Sequence, residues 1–423
     1  MAGLMSGWEL RLRELTGKVG HLFARPEPRE VFHDLIEGLL SDLDRKNCWT
    51  LARRAGHTHP GRMQALLSRG AWSADALEAE VRAHVVEHLG DPNGVLIIDE
   101  TQLPKKGDKS VGVAPQYCAA TNRIENCQVA VMLSYAGRAG HAYIGRRLHL
   151  PTQWTDDPGR CREAGIPVGV GFATKHDQAV ELLTEAADAA VPFGWVTMAD
   201  GYGQHPRVRN WCAQRSLPYV VAVSAALPLT QISVAPGTVP VTRVGQLLTR
   251  IADSAWQPRT RARGGEDDRS HDWALISLGG NLRVSDEIPA DGFAHTLLVR
   301  RSVGDPGEVT YFLAHARHRA SVPVLRRIAE TPQRIKEGDG QGKGLIGIDQ
   351  HQVRTWTAWH HTVTACMFAH AFRAALHTEA GTVLDSTADA EVTSPDRHAF
   401  NSRQRVRVTE PSPAHPRNHR QLA

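Results

Sequence analysis

Val95-Leu96-Ile97-Ile98 is a short, unbroken apolar run, preceded by the turn-forming Gly90-Asp91-Pro92-Asn93-Gly94 and closed by the acidic pair Asp99-Glu100. A run of that length with no polar alternation reads as a strand buried on both faces, which demands layers of structure above and below it. A second run, Trp195-Val196-Thr197-Met198-Ala199, ends on Asp200 and a glycine-bearing loop, Gly201-Tyr202-Gly203. Helical patterns over Lys175 to Ala190 and Val208 to Gln214 flank that second strand, and Tyr219 to Ser224 reads as a third. Strands alternating with helices predict an α/β core.

The rest of the chain divides around that core. Residues 1–92 read as helical, with apolar spacing over Val31 to Leu40 and a second apolar face formed by Ala76, Leu77, Val81, Val85 and Leu89. Two basic pairs, Arg45-Lys46 and Arg53-Arg54, fall in this region. They are either a solvated helix face or the phosphate contacts of a DNA-binding unit. Residues 93–225 form the first part of the core, with further strands expected at Gln128 to Tyr135 and His141 to Leu150. Residues 226–305, rich in Pro, Gly, Thr and Arg, are expected to be a β-rich insertion with strands at His271 to Leu278 and His295 to Arg301. The core resumes over 306–380 with a strand at Val309 to Ala314 and helices at Val322 to Glu330 and Thr355 to Leu376. The polar tail, 381–423, is expected to be disordered.

Composition narrows the function classes. With 41% hydrophobic residues the 423-residue chain can bury a sizeable core. Lys and Arg number 49 against 45 acidic residues, so the net charge of +4 neither requires nor excludes a nucleic-acid partner. The six cysteines, at 48, 118, 127, 161, 212 and 366, form no CxxC pair, which argues against a structural zinc ribbon and for small buried thiols. No stretch approaches the roughly 20 apolar residues needed to cross a bilayer, and the start of the chain lacks the pattern of a signal peptide. A soluble, intracellular protein is expected. A phosphate-cradling GxxxxGK[ST] loop is absent, as are Ser and Cys nucleophile motifs.

Asp99 and Asp200 are the candidate chemical residues. Each ends a predicted buried strand, and in open α/β sheets ligands bind at that edge. Carboxylates there, Asp99 with Glu100 beside it, supply the hard oxygen donors that Mg²⁺ takes. If the two strands were neighbours, the two acids would converge as two-metal phosphoryl chemistry requires. The plainer reading of either acid is a strand-end turn carboxylate.

A set of longer blocks extends this reading. Ile98-Asp99-Glu100-Thr101-Gln102-Leu103-Pro104-Lys105-Lys106-Gly107-Asp108-Lys109-Ser110-Val111-Gly112-Val113 is followed by Gln116-Tyr117 and Ile124-Glu125-Asn126-Cys127-Gln128-Val129. Then come Leu150-Pro151-Thr152-Gln153-Trp154-Thr155-Asp156-Asp157, Phe172-Ala173-Thr174-Lys175, Trp195-Val196-Thr197, Tyr202-Gly203-Gln204 and Gly347-Ile348-Asp349-Gln350-His351-Gln352-Val353-Arg354. Together these resemble the IS701-like transposases of the IS4-related DDE superfamily, over residues 35 to 376. The resemblance implies an RNase H-like core and metal-dependent cleavage and strand transfer of transposon-end DNA. It also implies Mg²⁺ or Mn²⁺ as cofactor, double-stranded DNA as partner, a homodimer on synapsis, no membrane, and a bacterial cytoplasmic, nucleoid-associated setting. Its catalytic triad of Asp, Asp and Glu, which would hold the metal, maps here to Asp99, Asp200 and Glu337. Lys105, Lys106, Lys109, Arg334 and Lys343 map to DNA contacts.

Asp99 matches the family pattern directly, and the other two positions depart from it. The second Asp of the family stands three residues before the Tyr-Gly pair, where this chain has Ala199; the acid comes one residue later, at Asp200. The third block carries Lys336 where the first Glu of a Glu-Glu pair belongs, leaving Glu337. A shift of one residue turns a helical side chain by about 100°. Pro332 replaces a basic residue, and Gly338, Gly340 and Gly342 each weaken a helix by roughly 1 kcal/mol relative to Ala. Asp339 is a further stand-in acid. Three outcomes stay open: an active transposase, a decayed one that only binds DNA, and a metal-dependent endonuclease without strand transfer.

Overall fold

The computed structural model describes residues 7–119, 121–199, 201–231, 243–259, 271–278, 282–284, 287–305, 307–317 and 320–379. The tail read as disordered, 381–423, and Asp200 lie outside the described residues, as do the side chains of Glu337 and Lys343.

Helices open the chain: α1 (Gly7–Lys18), α2 (Pro26–Leu40), α3 (Cys48–Arg54), α4 (Gly61–Arg69) and α5 (Ala74–Leu89). The caps follow the sequence. Pro26 begins α2, Asn47 caps α3 in a capping box with Thr50, and Ser73 Oγ accepts from the Ala76 amide at the start of α5. Gly90 follows α5 and begins the turn into the sheet.

The sheet starts with β1 (Val95–Pro104), β2 (Ala114–Cys118), β3 (Arg123–Ala136) and β4 (His141–Leu148). Short helices α6 (Thr152–Thr155) and α7 (Pro158–Glu163) and the longer α8 (Lys175–Asp188) lead to β5 (Trp195–Met198). Helix α9 (Pro206–Gln214) then leads to β6 (Tyr219–Val223). Strands β7 (Leu229–Gln231), β8 (Gln257–Arg259), β9 (His271–Ser277), β10 (Leu282–Val284), β11 (Phe293–Ser302) and β12 (Val309–Arg317) follow, and α10 (Val322–Ile346) and α11 (Trp356–Glu379) complete the described chain.

Among the described residues, ten strands form one mixed sheet in the order β2-β3-β1-β5-β6-β12-β11-β9-β8, with β4 also on β3. Strands β1 and β3 are antiparallel, while β1, β5 and β6 are parallel neighbours. The strands of the stretch read as an insertion do not stand apart: β12 pairs with β6 and carries β11, β9 and β8 outward on the same sheet. Among the described residues, β7 and β10 form a separate two-stranded ladder.

Both faces of this sheet are covered, as the apolar run at 95–98 predicts. Leu96 and Ile98 join the larger core with Leu133, Leu182, Val196 and the helices α5, α8 and α11. Val95 and Ile97 join a smaller one with Val220, Phe312, Leu325 and Ile328, the last two from α10. Period-two alternation makes this division, and it sets the face of each residue that follows Ile98.

Helix α10 runs beyond the Val322 to Glu330 expected, through Pro332 and the three glycines to Ile346. Its two ends explain that. Leu325 and Ile328 are fixed on the sheet, and Ile346, 1% exposed, is fixed in the larger core. Thr331 Oγ1 and an Arg334 guanidinium nitrogen both donate to the Arg327 carbonyl oxygen, at 2.8 and 3.0 Å, in the turn that Pro332 leaves short of an amide. Helix α11 is nearly all buried against α2, α4, α5 and β4. His361 is 3% exposed. Its ring stacks on Trp72, and its two nitrogens lie 2.9 Å from the carbonyl oxygens of Leu67 and Trp72. No described helix is long and apolar enough to cross a membrane.

Buried charges stitch these layers. Glu287, its side chain 0% exposed, receives Arg209 Nε at 3.1 Å, the Tyr219 hydroxyl at 2.6 Å and His295 Nε2 at 3.1 Å. Arg209 also donates to the carbonyl oxygen of Gly203. The basic residue Lys46, read as either solvated or phosphate-binding, is neither. It is 4% exposed and donates to the carbonyl oxygens of Leu39 and Ser41, at 2.7 and 2.6 Å, closing the C-terminus of α2.

Acid should destabilise this fold through His351. The residue is 5% exposed, its ring nitrogens have no hydrogen-bond partner among the described residues, and burial, helped by the nearby Lys105 charge, lowers its pKa from 6.5 to about 3. Between those values the unfolded chain binds a proton that the folded chain refuses, so stability falls as pH drops below 6.5 toward 3. Urea denaturation at about pH 7 and about pH 5 should show a lower midpoint in acid, and His351→Asn should shrink the difference. An unchanged difference in the variant would count against this assignment.

Candidate active site

Asp99 continues the face of Val95 and Ile97, toward α10, and Glu100 turns to the other. Asp99 Oδ2 lies 3.2 Å from Lys336 Nζ of α10, and its Oδ1 accepts from the Glu100 amide at 2.8 Å. Glu100 Oε1 lies 2.8 Å from Lys175 Nζ, the first residue of α8, and Gln102 Nε2 donates to Glu100 Oε2 at 3.3 Å. The two acids therefore do not form one donor pair. Each faces its own lysine across the strand.

The parallel pairing of β1 with β5 brings the second predicted strand end beside the first. Ile98 is in register with Met198, and the Ala199 amide donates to the Ile98 carbonyl oxygen at 2.8 Å. Because Thr197 follows Ile97 in register, Ala199 takes the position beside Asp99 on the α10 face. That position offers a methyl group and no ligand atom. The loop that follows returns Tyr202, 2% exposed, toward Glu100 and Asp99; burial first and the two carboxylates second push its phenol above the ordinary range.

Lys336 and Lys175 are the site residues the sequence left without a role. In the sequence Lys336 stands as a departure from Glu, and Lys175 as the first residue of a helical pattern. The signal is present in both cases: Asp99 and Glu100 are adjacent acids inside β1, which runs on to Pro104 instead of ending at Asp99 as the apolar run suggests, and alternation sends them to two faces, each of which needs a counter-charge. The Asp99–Lys336 pair is partly exposed, at 24% and 53% for the two side chains, and pairs of that kind contribute about 0–1 kcal/mol. A divalent cation or a phosphate group can displace such a contact.

The proposed DNA contacts fall into three groups. Lys105 Nζ donates to the His351 carbonyl oxygen at 2.6 Å, and burial lowers its pKa to about 8, so it is engaged inside the fold. Lys109 is exposed and pairs with Glu163 at 3.1 Å, while Lys106 is exposed on the same loop. Arg334 is exposed and bonds back to its own helix through the Arg327 carbonyl and Thr331 Oγ1.

On the α10 face Asp99 supplies a hard carboxylate oxygen of the kind that a divalent cation such as Mg²⁺ takes. Lys336 shows that the α10 face of Asp99 accepts positive charge. A family model described as DDE superfamily endonuclease matches residues 19–250, more than half of the chain. No curated protein matches. Among solved structures, the NurA nuclease from Sulfolobus solfataricus aligns at 10% identity over 66% of this chain and 82% of that one, with a TM-score of 0.24, too low to carry an argument.

Proposed function

The chain belongs to the DDE superfamily endonucleases, and from that premise we propose that it is a DNA transposase of the IS701-like group, cutting transposon ends and joining them to target DNA. The observation that carries this reading is the convergence at Asp99: the middle of β1, the end of its parallel neighbour β5 and the face of α10 meet there. The order of antiparallel strands followed by the parallel β1, β5 and β6, with α8 and α9 in the connections, supports an RNase H-like core.

In this reading Asp99, Asp200 and Glu337 hold Mg²⁺ or Mn²⁺. A bound divalent ion would supply the charge that an in-line displacement at phosphorus needs. The chain's own residues do the rest. Asp99 is anchored by the Glu100 amide, so its second oxygen is presented toward α10. With a cation held at Asp99, the Lys336 ammonium would be available to a backbone phosphate. Exposed Lys106, Lys109 and Arg334 would neutralise backbone phosphates of the duplex, and Lys343 takes the same role by its place in the sequence. Synapsis of two ends would bring two copies of the chain together.

Two features favour a second reading, a DNA-binding protein that does not cut. Ala199 stands on the face of Asp99 where an acid would serve, and Lys336 faces Asp99 in place of a carboxylate. A nicking assay separates the two. Purified chain is incubated with a labelled duplex bearing the terminal inverted repeat of its own element, with Mg²⁺, Mn²⁺ or chelator. Metal-dependent nicks at the end of the repeat are expected. A duplex that is shifted in a gel and never nicked supports the second reading, and one that is neither bound nor nicked removes both.

A further inference from the structure

On the last two turns of α5, His84, Glu87 and His88 occupy positions i, i+3 and i+4, which share one strip of a helix. One ligand atom from each, two ring nitrogens and a carboxylate oxygen, lie within 4.8 Å of one another. The two imidazole centroids are 4.2 Å apart. None of these residues belongs to the strand-end site.

Two further observations set this cluster apart from an incidental grouping of polar side chains. Both ring nitrogens of His84 are shielded from solvent and have no hydrogen-bond partner among the described residues. A neutral imidazole carries one donor and one lone pair, and leaving both unpaired under cover is unfavourable enough that natural proteins mostly avoid it. His88 Nδ1 lies 2.9 Å from the His84 carbonyl oxygen. That acceptor fixes the proton on Nδ1 and so puts the lone pair on Nε2, the outer-shell arrangement typical of a metal-binding histidine.

We propose that His84, Glu87 and His88 form a binding site for a divalent transition-metal ion of the zinc type. Two imidazoles and one carboxylate are a common three-ligand set for zinc, with a fourth position left to water. Imidazole donors also separate this site from the oxygen-only site at Asp99, because they favour zinc, cobalt and nickel over magnesium. The exposed Glu87 carboxylate and the two histidines are already brought together by the helix. Helix α5 packs against the turn Val19–Leu22, so an ion here would fasten the last turns of a helix that leads directly into β1.

Cobalt(II) tests this because its visible absorption reports tetrahedral nitrogen and oxygen coordination. Full-length chain is stripped with chelator, titrated with CoCl₂, and then challenged with ZnCl₂. One equivalent of intensely coloured Co²⁺, bleached by Zn²⁺, is expected both in the unmodified chain and in Asp99→Ala. The band should vanish in His84→Ala and in the milder His88→Asn, each checked for native helical content by circular dichroism. Glu87→Gln should weaken binding by about tenfold or more. An unmodified chain that gives no tetrahedral band, or a band of unchanged stoichiometry in folded His84→Ala and His88→Asn, overturns the proposal.

Discussion

Changing Ala199 to Asp and Lys336 to Glu together is expected to raise metal-dependent nicking about 100-fold or more above that of the unmodified chain, since supplying or removing one preorganised charged group at a reacting centre is worth 10²–10³ in rate. The register of β1 with β5 and the contact from α10 place both positions around Asp99 on one face of the sheet. Carboxylates there would complete a three-acid set without a shift in either element. Adding Asp99→Ala to the double variant should return nicking to background. The single changes should each give less than the pair, because two ligands around one ion act as a unit. Initial nicking rates in Mn²⁺ and Mg²⁺ measure this. A folded double variant no faster than its parent would show that positions 199 and 336 are not where the site lacks its acids.

Removing Glu287 is expected to cost about 3–5 kcal/mol, the usual penalty for leaving a buried charge unpaired. Glu287→Ala strands Arg209, whose side chain is 0% exposed, and frees the Tyr219 hydroxyl and His295 within the sheet. Burial alone would raise the Glu287 pKa, but bonds from His295 and Tyr219 and the charge of Arg209 hold it below 4.5. A depressed carboxylate stabilises the fold above its unfolded pKa and loses that contribution as pH falls through its folded value. The penalty of Glu287→Ala should therefore be largest near neutrality and shrink in acid. Because Arg209 also holds the Gly203 carbonyl, the variant should loosen the loop after β5 as well. Denaturant unfolding reads the first effect and amide exchange at residues 201–205 the second. A loss below about 1 kcal/mol would mean the network is no better than an exposed pair.

Local signals in the sequence carried the strands well and the partnerships poorly. The run at 95–98 and the turn residues before it announce β1, and its lack of alternation announces cover on both faces, because a strand hides consecutive apolar side chains only when both its faces are buried. Asp99 followed from its place at the end of that run. Lys336 did not, since the contact spans the entire sheet and insertion, and a lysine in place of an acid reads as a loss until the strand's alternation shows which side it meets. Lys46 was misread for a related reason: adjacent basic residues look solvated in sequence, and only the unsatisfied carbonyls at the end of α2 explain why one of them is inside. The continuation of α10 past Pro332 was hidden because local propensity argued against it, while the anchors that hold it, Ile328 and Ile346, act through tertiary contact.

The burial of α11 among the N-terminal helices sets a timetable for synthesis. His361 caps the Leu67 carbonyl 294 residues earlier in the chain, and Phe368 packs on Phe32 at 5.5 Å. At ribosomal speeds of about 5–20 residues per second, α2, α4 and α5 wait roughly 15–60 s with an apolar groove uncovered before their closing helix emerges. During that interval the nascent chain is a natural client for a holding chaperone, and a truncation anywhere before residue 356 would leave it one permanently.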